Sequence, residues 1–420
     1  MELQFKGMVP EEGSPVHEAV SAARYYTIRD NAEPWLFGYG PVARMNPYQS
    51  LSYAAFGDHG LAVTPVTDPW SFGTLARLQG QSRGVIYHLH WLAFITQGAS
   101  SAKEAAAGID RFLAEVHRFR EAGGRLVWTV HNVVNHDAAF LEEELRLQQS
   151  IADAADLIHV MSEDTPELVR DVLSLPAEKI VCVPHPSYLG SYEDYLPRDH
   201  ARIMLGIEPD EMVYAVVGAI KAYKGIERLV EAFNLLLQRS EKPRRLIIAG
   251  GADTDRQTRR LVSQLRMHPY VLVQDRRVPG DQVQRLLRAA DVMVLPHERA
   301  LNSGGALLGP SFDLPLVAAR VGVLPGLLSG EFTEFFDGRS AHDVADALER
   351  AERLISPGAR AAARAFAERH HWRVVSPQLA VAIREGLGLD AGPLGTAAGS
   401  GATHAAGAGA THAAGSGARP

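Results

Sequence analysis

From Val216 to Phe233 the chain reads Val-Val-Gly-Ala-Ile-Lys-Ala-Tyr-Lys-Gly-Ile-Glu-Arg-Leu-Val-Glu-Ala-Phe. The apolar run over 214–217 predicts a strand that stops at Gly218. A short loop with Lys221 and Lys224 follows. Gly225 then opens a helix whose apolar residues Ile226, Leu229, Val230 and Phe233 recur at helical spacing. This order commits the region to a strand-helix unit with a cationic loop at the strand's carboxyl end. Free helix amides, the helix dipole and lysine charge converge there, which suits an anion such as phosphate. An isolated Lys-Gly pair would read as a solvated turn, so the rest of the chain has to decide.

The rest of the chain repeats the pattern. Strands are predicted at 84–87, 125–130 and 157–161, with helices at 102–122 and 140–154. Further strands fall at 214–217, 245–249, 271–273, 292–295 and 316–319. Helices are predicted at 226–237, 255–266, 282–289, 302–311 and 376–386, with 335–366 helical at its end. Alternation of this kind implies parallel sheets covered on both faces. The expected divisions are a weakly patterned segment 1–33, one domain over 34–190, a second over 191–375 and a terminal helix over 376–390. Residues 188–205 read as a polar linker and hinge. From 391 to 420 the chain is Gly/Ala-rich, with Ser400–Gly407 nearly repeated by Ala408–Gly415, and is expected to be disordered.

Composition sets outer bounds. The 420 residues, 46% hydrophobic, can supply two ordinary domain cores. A formal charge of −7 argues against a general nucleic-acid binder. The one cysteine, Cys182, excludes an intrachain disulfide, and its apolar setting predicts an inert core thiol. The N-terminus is acidic and polar, and no apolar run approaches the ~20 residues of a spanning helix. The expectation is a cytoplasmic protein with, at most, peripheral membrane contact.

Several short motifs carry chemistry. His131 and Asn132 end the apolar strand over 125–130, which puts two hydrogen-bonding side chains at a sheet rim. His88-Leu-His-Trp91 places two histidines on one face of a strand: His88 reads as a core residue, while His90 and Trp91 lie nearer the strand end. Asn46-Pro-Tyr48 reads as a helix start. Asn302-Ser-Gly304 opens a helix with small residues and free amides. Asp253-Thr-Asp255 reads as the polar cap of a helix, and two histidines without a third well-spaced ligand do not make a zinc site.

Taken in order along the chain, these motifs resemble GT-B glycosyltransferases of the family-4-like group. Gly218 to Gly225 is similar to a donor-phosphate loop of the form Gly-x-Ile-Arg-x-Tyr-Lys-Gly, with Lys221 in place of arginine. Trp128-Thr-Val-His-Asn132 with His136, the His-x-His-Trp step and Leu301-Asn-Ser-Gly304 resemble a subgroup of these enzymes. Val183-Pro-His-Pro-Ser-Tyr188 is similar to the family's Pro-His-Gly-x-Tyr, with Pro186 for glycine. Two glutamates usual in the family are replaced by Ala300 and Leu308. There is no Gly-x-Gly-x-x-Gly after a first strand and no Gly-x-x-x-x-Gly-Lys-Ser/Thr loop.

The resemblance implies an α/β fold of two Rossmann-like domains whose parallel sheets face a central cleft. It implies transfer of a sugar from a nucleotide diphosphate sugar to a saccharide, lipid-linked or small-molecule acceptor, in polysaccharide, glycolipid or natural-product synthesis. No metal or other cofactor is expected. His131, Asn132 and His90 would be catalytic; Gly218, Lys221, Lys224, Asn302, Ser303 and Gly304 would bind the donor phosphates. Glu298 would partly replace a missing glutamate on the donor. Asn46, Tyr48, Trp91 and His136 would line the acceptor side. Asp275, Asp281 and Asp291 have the spacing of the nucleobase side. A nucleotide-sugar epimerase or hydrolase of the same fold, or a non-catalytic binding paralogue, is the alternative.

Overall fold

The structure is a computed structural model and describes residues 15–80, 82–132, 139–221, 224–338 and 340–389. His136, Ala222, Tyr223 and the repetitive tail lie outside these residues. The N-terminal half runs α1 (Pro15–Asp30), β1 (Trp35–Gly40), α2 (Tyr48–Ser52), β2 (Leu61–Pro65), β3 (Val85–Leu89), α3 (Ala102–Glu121), β4 (Arg125–Thr129), α4 (Leu141–Ala154), β5 (Leu157–Val160), α5 (Thr165–Val169) and β6 (Ile180–Cys182). The C-terminal half begins with α6 (Arg198–Leu205), β7 (Met212–Val217), α7 (Ile226–Arg239), β8 (Arg244–Ala249), α8 (Arg256–Met267), β9 (Val271–Gln274), α9 (Gly280–Ala289) and β10 (Val292–Leu295). It continues with α10 (Gly304–Ser311), β11 (Leu316–Ala319), α11 (Leu324–Leu327), β12 (Thr333–Phe336), α12 (Ala341–Arg350), α13 (Pro357–Arg369) and α14 (Trp372–Gly386).

Two six-stranded sheets result, ordered β2-β1-β3-β4-β5-β6 and β12-β11-β10-β7-β8-β9, with every pairing parallel. Both are Rossmann-like. The chain reverses its winding between β1 and β3 in the first sheet and between β7 and β10 in the second. Ligands of open α/β sheets bind outside the strand ends at such reversals, so the topology marks the loops after β1, β3, β7 and β10.

Burial explains why the elements form where they do. β3, β5, β10 and β11 are buried on both faces, as parallel strands between helical layers must be. α3 buries one stripe, Ala105, Ile109, Phe112, Val116 and Phe119. Its Ser101 hydroxyl accepts from the Glu104 amide at 3.3 Å, while the Glu104 carboxylate accepts from the Ser100 amide at 2.8 Å. α14 crosses back to the first half. Val375, Leu379, Ala380 and Ile383 pack with Phe37, Phe56 and Leu157, and the Ser376 hydroxyl accepts from the Ala55 amide at 2.9 Å.

Two sequence expectations differ from the structure and a third gains detail. The linker over 188–205 ends in α6, because its Arg202 is anchored in the core. That guanidinium donates to Asp291 at 2.8 Å and to the carbonyls of Ala289 and Glu211. The 335–366 stretch is helical at its end, in α13, as expected, and also holds the end of β12 and all of α12. Cys182 is exposed, because β6 is a three-residue edge strand with one side open to solvent. Partial desolvation and the nearby Glu163 and Asp164 push its thiol up to about 11, so it stays protonated at neutral pH.

Candidate active site

The second sheet supplies charge and backbone. α7 starts at Gly225 with φ +66°, and a Cβ there would lie 2.1 Å from the Pro296 carbonyl oxygen. Glycine is therefore required twice, for the left-handed backbone and for the close approach. That approach presses the loop after β7 against the loop after β10. Lys224 Nζ lies 2.8 Å from His297 Nε2 across the seam. Burial, with a contribution from the Lys221 charge, lowers the Lys224 ammonium to about 8. Lys221 pairs with Asp253 at 3.3 Å, and Asp255 caps α8 by accepting from the Thr258 amide at 2.9 Å. Gly218 is exposed at the end of β7 with φ +145°.

α10 begins beside this loop. Ser303 is buried, and its hydroxyl has no protein partner within hydrogen-bond distance. Gly304 leaves room for the Tyr188 hydroxyl, which would lie 2.6 Å from an added Cβ. Asn302 does something its motif did not reveal: its amide donates to the carbonyls of Val130 at 3.1 Å and His131 at 2.9 Å. It therefore ties the start of α10 to the end of β4 in the other half. Arg277 makes a second tie by donating to the Met45 carbonyl.

The first sheet supplies imidazoles. His131 is partly buried, stacks on Trp91 at 4.4 Å and 23°, and meets the edge of Tyr48 at 5.3 Å. His131 Nε2 lies 2.9 Å from His90 Nδ1, and His90 Nε2 lies 2.5 Å from the Tyr53 hydroxyl. Tyr48 is fully buried among His90, His131 and His185, while Asn46 is exposed and accepts from the Tyr48 amide at 3.0 Å. Asn132 is exposed next to His131. A cavity of about 250 Å³ is lined by His90, Trp91, Thr129, His131, Asn132 and Gln148. Burial drives both His90 and His131 well below the ordinary imidazole range, and neighbouring imidazoles add to the effect, so both rings are neutral at pH 7.

A second cavity, of about 340 Å³, lies where the halves meet and is lined by Ser162, Asp164, His185, Asn302, Ser303 and Leu307. The two residues just before α10, Asn302 and Ser303, thus open onto space bounded by the first half. Glu298 is exposed and sits 3.8 Å from Arg228. Asp275 pairs with Arg266, and Asp291 is buried between Arg198 and Arg202, so both carboxylates serve the fold. Sequence reasoning does not single out His297, whose only signal is its place just after a strand. Nor does it assign a role to Tyr53, which ends α2, or to Thr129 and His159, which sit in apolar strands and meet only when β4 and β5 pair. Among the described residues no group of three or more His, Cys, Asp or Glu is arranged to hold a metal ion, and no helix is long and apolar enough to cross a membrane.

Comparison with known proteins agrees with this arrangement. Residues 197–365 match the family model for glycosyl transferases group 1. The D-inositol 3-phosphate glycosyltransferase of Corynebacterium glutamicum is 28% identical over 229 residues, 52% of this chain and 54% of that protein. Its counterpart from Actinosynnema mirum is 30% identical over 257 residues, 57% of this chain and 61% of that protein. The chain spans little more than half the length of the curated relatives it matches. Among solved structures, Anabaena HepE in complex with UDP and glucose aligns with a TM-score of 0.64 at 13% identity, covering 84% of this chain and all of that one. Sucrose-phosphate synthase from Thermosynechococcus elongatus aligns at 0.61 and 16% identity, covering 84% of this chain and 98% of that one. Residues 197–365 are thus similar to glycosyl transferases group 1, and the two parallel sheets are arranged as in these solved structures, so the chain shares their two-sheet GT-B fold.

Proposed function

We propose that the protein moves a sugar from a nucleoside diphosphate sugar to an acceptor hydroxyl, without a divalent metal. The observation that carries this reading is the Asn302 bridge to the Val130 and His131 carbonyls. It brings a helix N-terminus and the neighbouring Lys224 loop to the same place as the His131 end of β4. Lys224, Lys221 and the first amides of α10 would receive the charge that builds on the departing diphosphate, the task a metal performs elsewhere. Donor phosphates would sit against Ser303 and Gly304, with Gly218 leaving room at the loop. Neutral His131, supported by His90, would contact the donor sugar or the acceptor hydroxyl, with Asn132 beside it. Tyr48 backs these rings, and Trp91 and Asn46 border the acceptor side.

The neighbouring HepE structure contains UDP and glucose, which makes a uridine nucleotide the first donor to test. The curated relatives are named for inositol 3-phosphate, which makes a small phosphorylated polyol the first acceptor. Saccharide and lipid-linked acceptors form the next arms, the last with vesicles to read peripheral membrane contact. A nucleotide-sugar donor would place the reaction in the cytoplasm.

The test is acceptor-dependent release of nucleoside diphosphate, measured with chelator present. Release that needs both an acceptor and a matching donor supports transfer. Release without any acceptor would mean hydrolysis, and nucleotide binding without release would mean a binding protein. Abolition by chelator would overturn the metal-free reading and bring Asp253 and Asp255 back as ligands.

A further inference from the structure

Behind His131 an unbroken line of hydrogen bonds crosses the first sheet. His159 Nε2 lies 2.9 Å from the Val183 carbonyl oxygen, and His159 Nδ1 lies 3.0 Å from Thr129 Oγ1. Thr129 Oγ1 lies 2.7 Å from His88 Nε2, and His88 Nδ1 lies 2.9 Å from the Tyr53 hydroxyl. The same hydroxyl meets His90 Nε2, and His90 Nδ1 meets His131 Nε2. His88, His90, Thr129 and His159 are all at most 1% exposed.

The direction of this line follows from one atom. A backbone carbonyl can only accept, so His159 Nε2 carries the proton. A neutral His159 then accepts at Nδ1, and the Thr129 hydroxyl must donate to it. That hydroxyl has no second hydrogen, so it accepts from His88 Nε2–H. His88 Nδ1 accepts from the Tyr53 hydroxyl, whose oxygen in turn accepts from His90 Nε2–H. His90 Nδ1 is left to accept, and His131 donates from Nε2. Every reversal requires either a charged imidazole or an unpaired polar group inside the sheet, and both are costly there.

We propose that Val183, His159, Thr129, His88, Tyr53 and His90 form a one-way relay that holds His131 as its Nε2–H tautomer, leaving Nδ1 as the ring's acceptor. Tyr53, Thr129, His88 and His159 are positioning residues, since they act only through His90 and His131. Burial holds His88, His90 and His159 below the ordinary imidazole range, which keeps the rings neutral as the relay requires. Phe37 and Phe56 pack on Tyr53 at 5.3 and 4.9 Å, and this keeps the phenol in line. A His131 with a bare Nδ1 can accept a hydroxyl hydrogen. The other tautomer can only donate from that nitrogen. The functional half of the proposal rests on His131 standing at the reacting centre, as argued above.

The test uses the full chain with nitrogen-15 histidine, because ring nitrogens with and without hydrogen differ widely in shift. In the unliganded protein His88, His90, His131 and His159 should all be Nε2–H. Tyr53→Phe removes the middle of the line, so His131 should divide between tautomers. Turnover should fall about tenfold or more while donor KM stays within about twofold, because a mis-set catalytic imidazole costs rate rather than binding. Thr129→Val should act in the same direction and Thr129→Ser should restore both readouts, which a purely structural role would not do. If Tyr53→Phe does not fold, the Thr129 pair decides alone. A wild-type His131 protonated at Nδ1, or a tautomer unmoved by Tyr53→Phe and Thr129→Val, would overturn the relay. A changed tautomer with unchanged turnover would overturn its functional half. A wild-type protein with the expected tautomers and no transfer would sink the transferase reading and leave the relay standing.

Discussion

The two halves build their rims from different materials. At the β7–β10 reversal the second half uses two loops, a helix start and two lysines, with Gly225 letting the loops touch. At the β1–β3 reversal the first half uses imidazoles delivered by neighbouring strands and their ends and phenols delivered by α2 and the residue that ends it, locked by side-chain hydrogen bonds. A loop that binds an anion through backbone amides needs only local sequence. A set of neutral imidazoles needs neighbouring strands in one register. The contrast makes the first half sensitive to acid and the second sensitive to base.

Acid should have the largest effect. His88, His90 and His159 have folded-state values below the unfolded 6.5 because burial disfavours their charged forms. Below about pH 6.5 the unfolded chain binds protons that the folded chain does not, so stability falls as pH falls. Each group contributes up to about 1.4 kcal/mol per pH unit. From pH 7 to pH 5 the three together should cost on the order of 5 kcal/mol. Thermal melts across this range check the size, and hydrogen exchange should show the first half opening first. A second half that opens first would break the comparison.

His131→Ala should lower turnover by about a hundredfold or more, the scale of positioned acid-base contacts. Its melting temperature at pH 7 should stay near that of the wild type. A variant that unfolds, or one with normal turnover, would return His131 to a structural role.

Lys224→Ala should weaken nucleoside diphosphate binding about tenfold or more, since a charge-assisted contact to phosphate is worth roughly 1.5–3 kcal/mol. Lys221→Ala should cost less, because Asp253 already offsets part of its charge. Calorimetry with both variants measures the difference. Unchanged affinity in folded Lys224→Ala would remove the phosphate loop from the account.

The same lysine makes the second half sensitive to base. With the Lys224 ammonium at about 8 in the unliganded protein, raising pH through 8 leaves fewer molecules charged before the anion arrives, so affinity should fall. The loss from pH 7 to pH 9 should be up to about tenfold, and Lys224→Ala should flatten it. Stability runs the other way. A base depressed in the folded state releases its proton earlier than the unfolded chain does, so stability rises between about 8 and the unfolded value of 10.5.

The smallest effect is expected at Glu298. It is exposed, and its Arg228 partner lies 3.8 Å away. Such pairs contribute about 0–1 kcal/mol, so Glu298→Gln should change nucleotide affinity by less than about fivefold. A larger loss in a titration would make Glu298 the donor contact that stands in for the missing family glutamates.

Much of this protein could be read along the chain because it is local. The spacing of Ile226, Leu229 and Phe233, the Lys-Gly loop before them and the apolar run that ends at His131 each mark their elements within a few residues. Periodicity also reports which residues face inward, and so it showed two parallel α/β sheets. It misjudged Cys182 because an apolar run does not say whether a strand lies at a sheet edge.

What tertiary structure alone decided depends on partners far apart in sequence. Asn302 reads along the chain as a phosphate ligand at a helix start, and only the fold shows that its amide also ties α10 to the carbonyls at the end of β4. Thr129 lies directly opposite His159 only because β4 and β5 pair in that register. A shift of one residue would turn Thr129 to the opposite face of the sheet and break the line to His131. Local sequence sets strand and helix, because backbone preference and side-chain periodicity are short-range. The tautomer of His131 follows from a carbonyl 52 positions later in the chain, Val183, because a hydrogen bond needs atoms within about 3 Å and only the folded sheet supplies them.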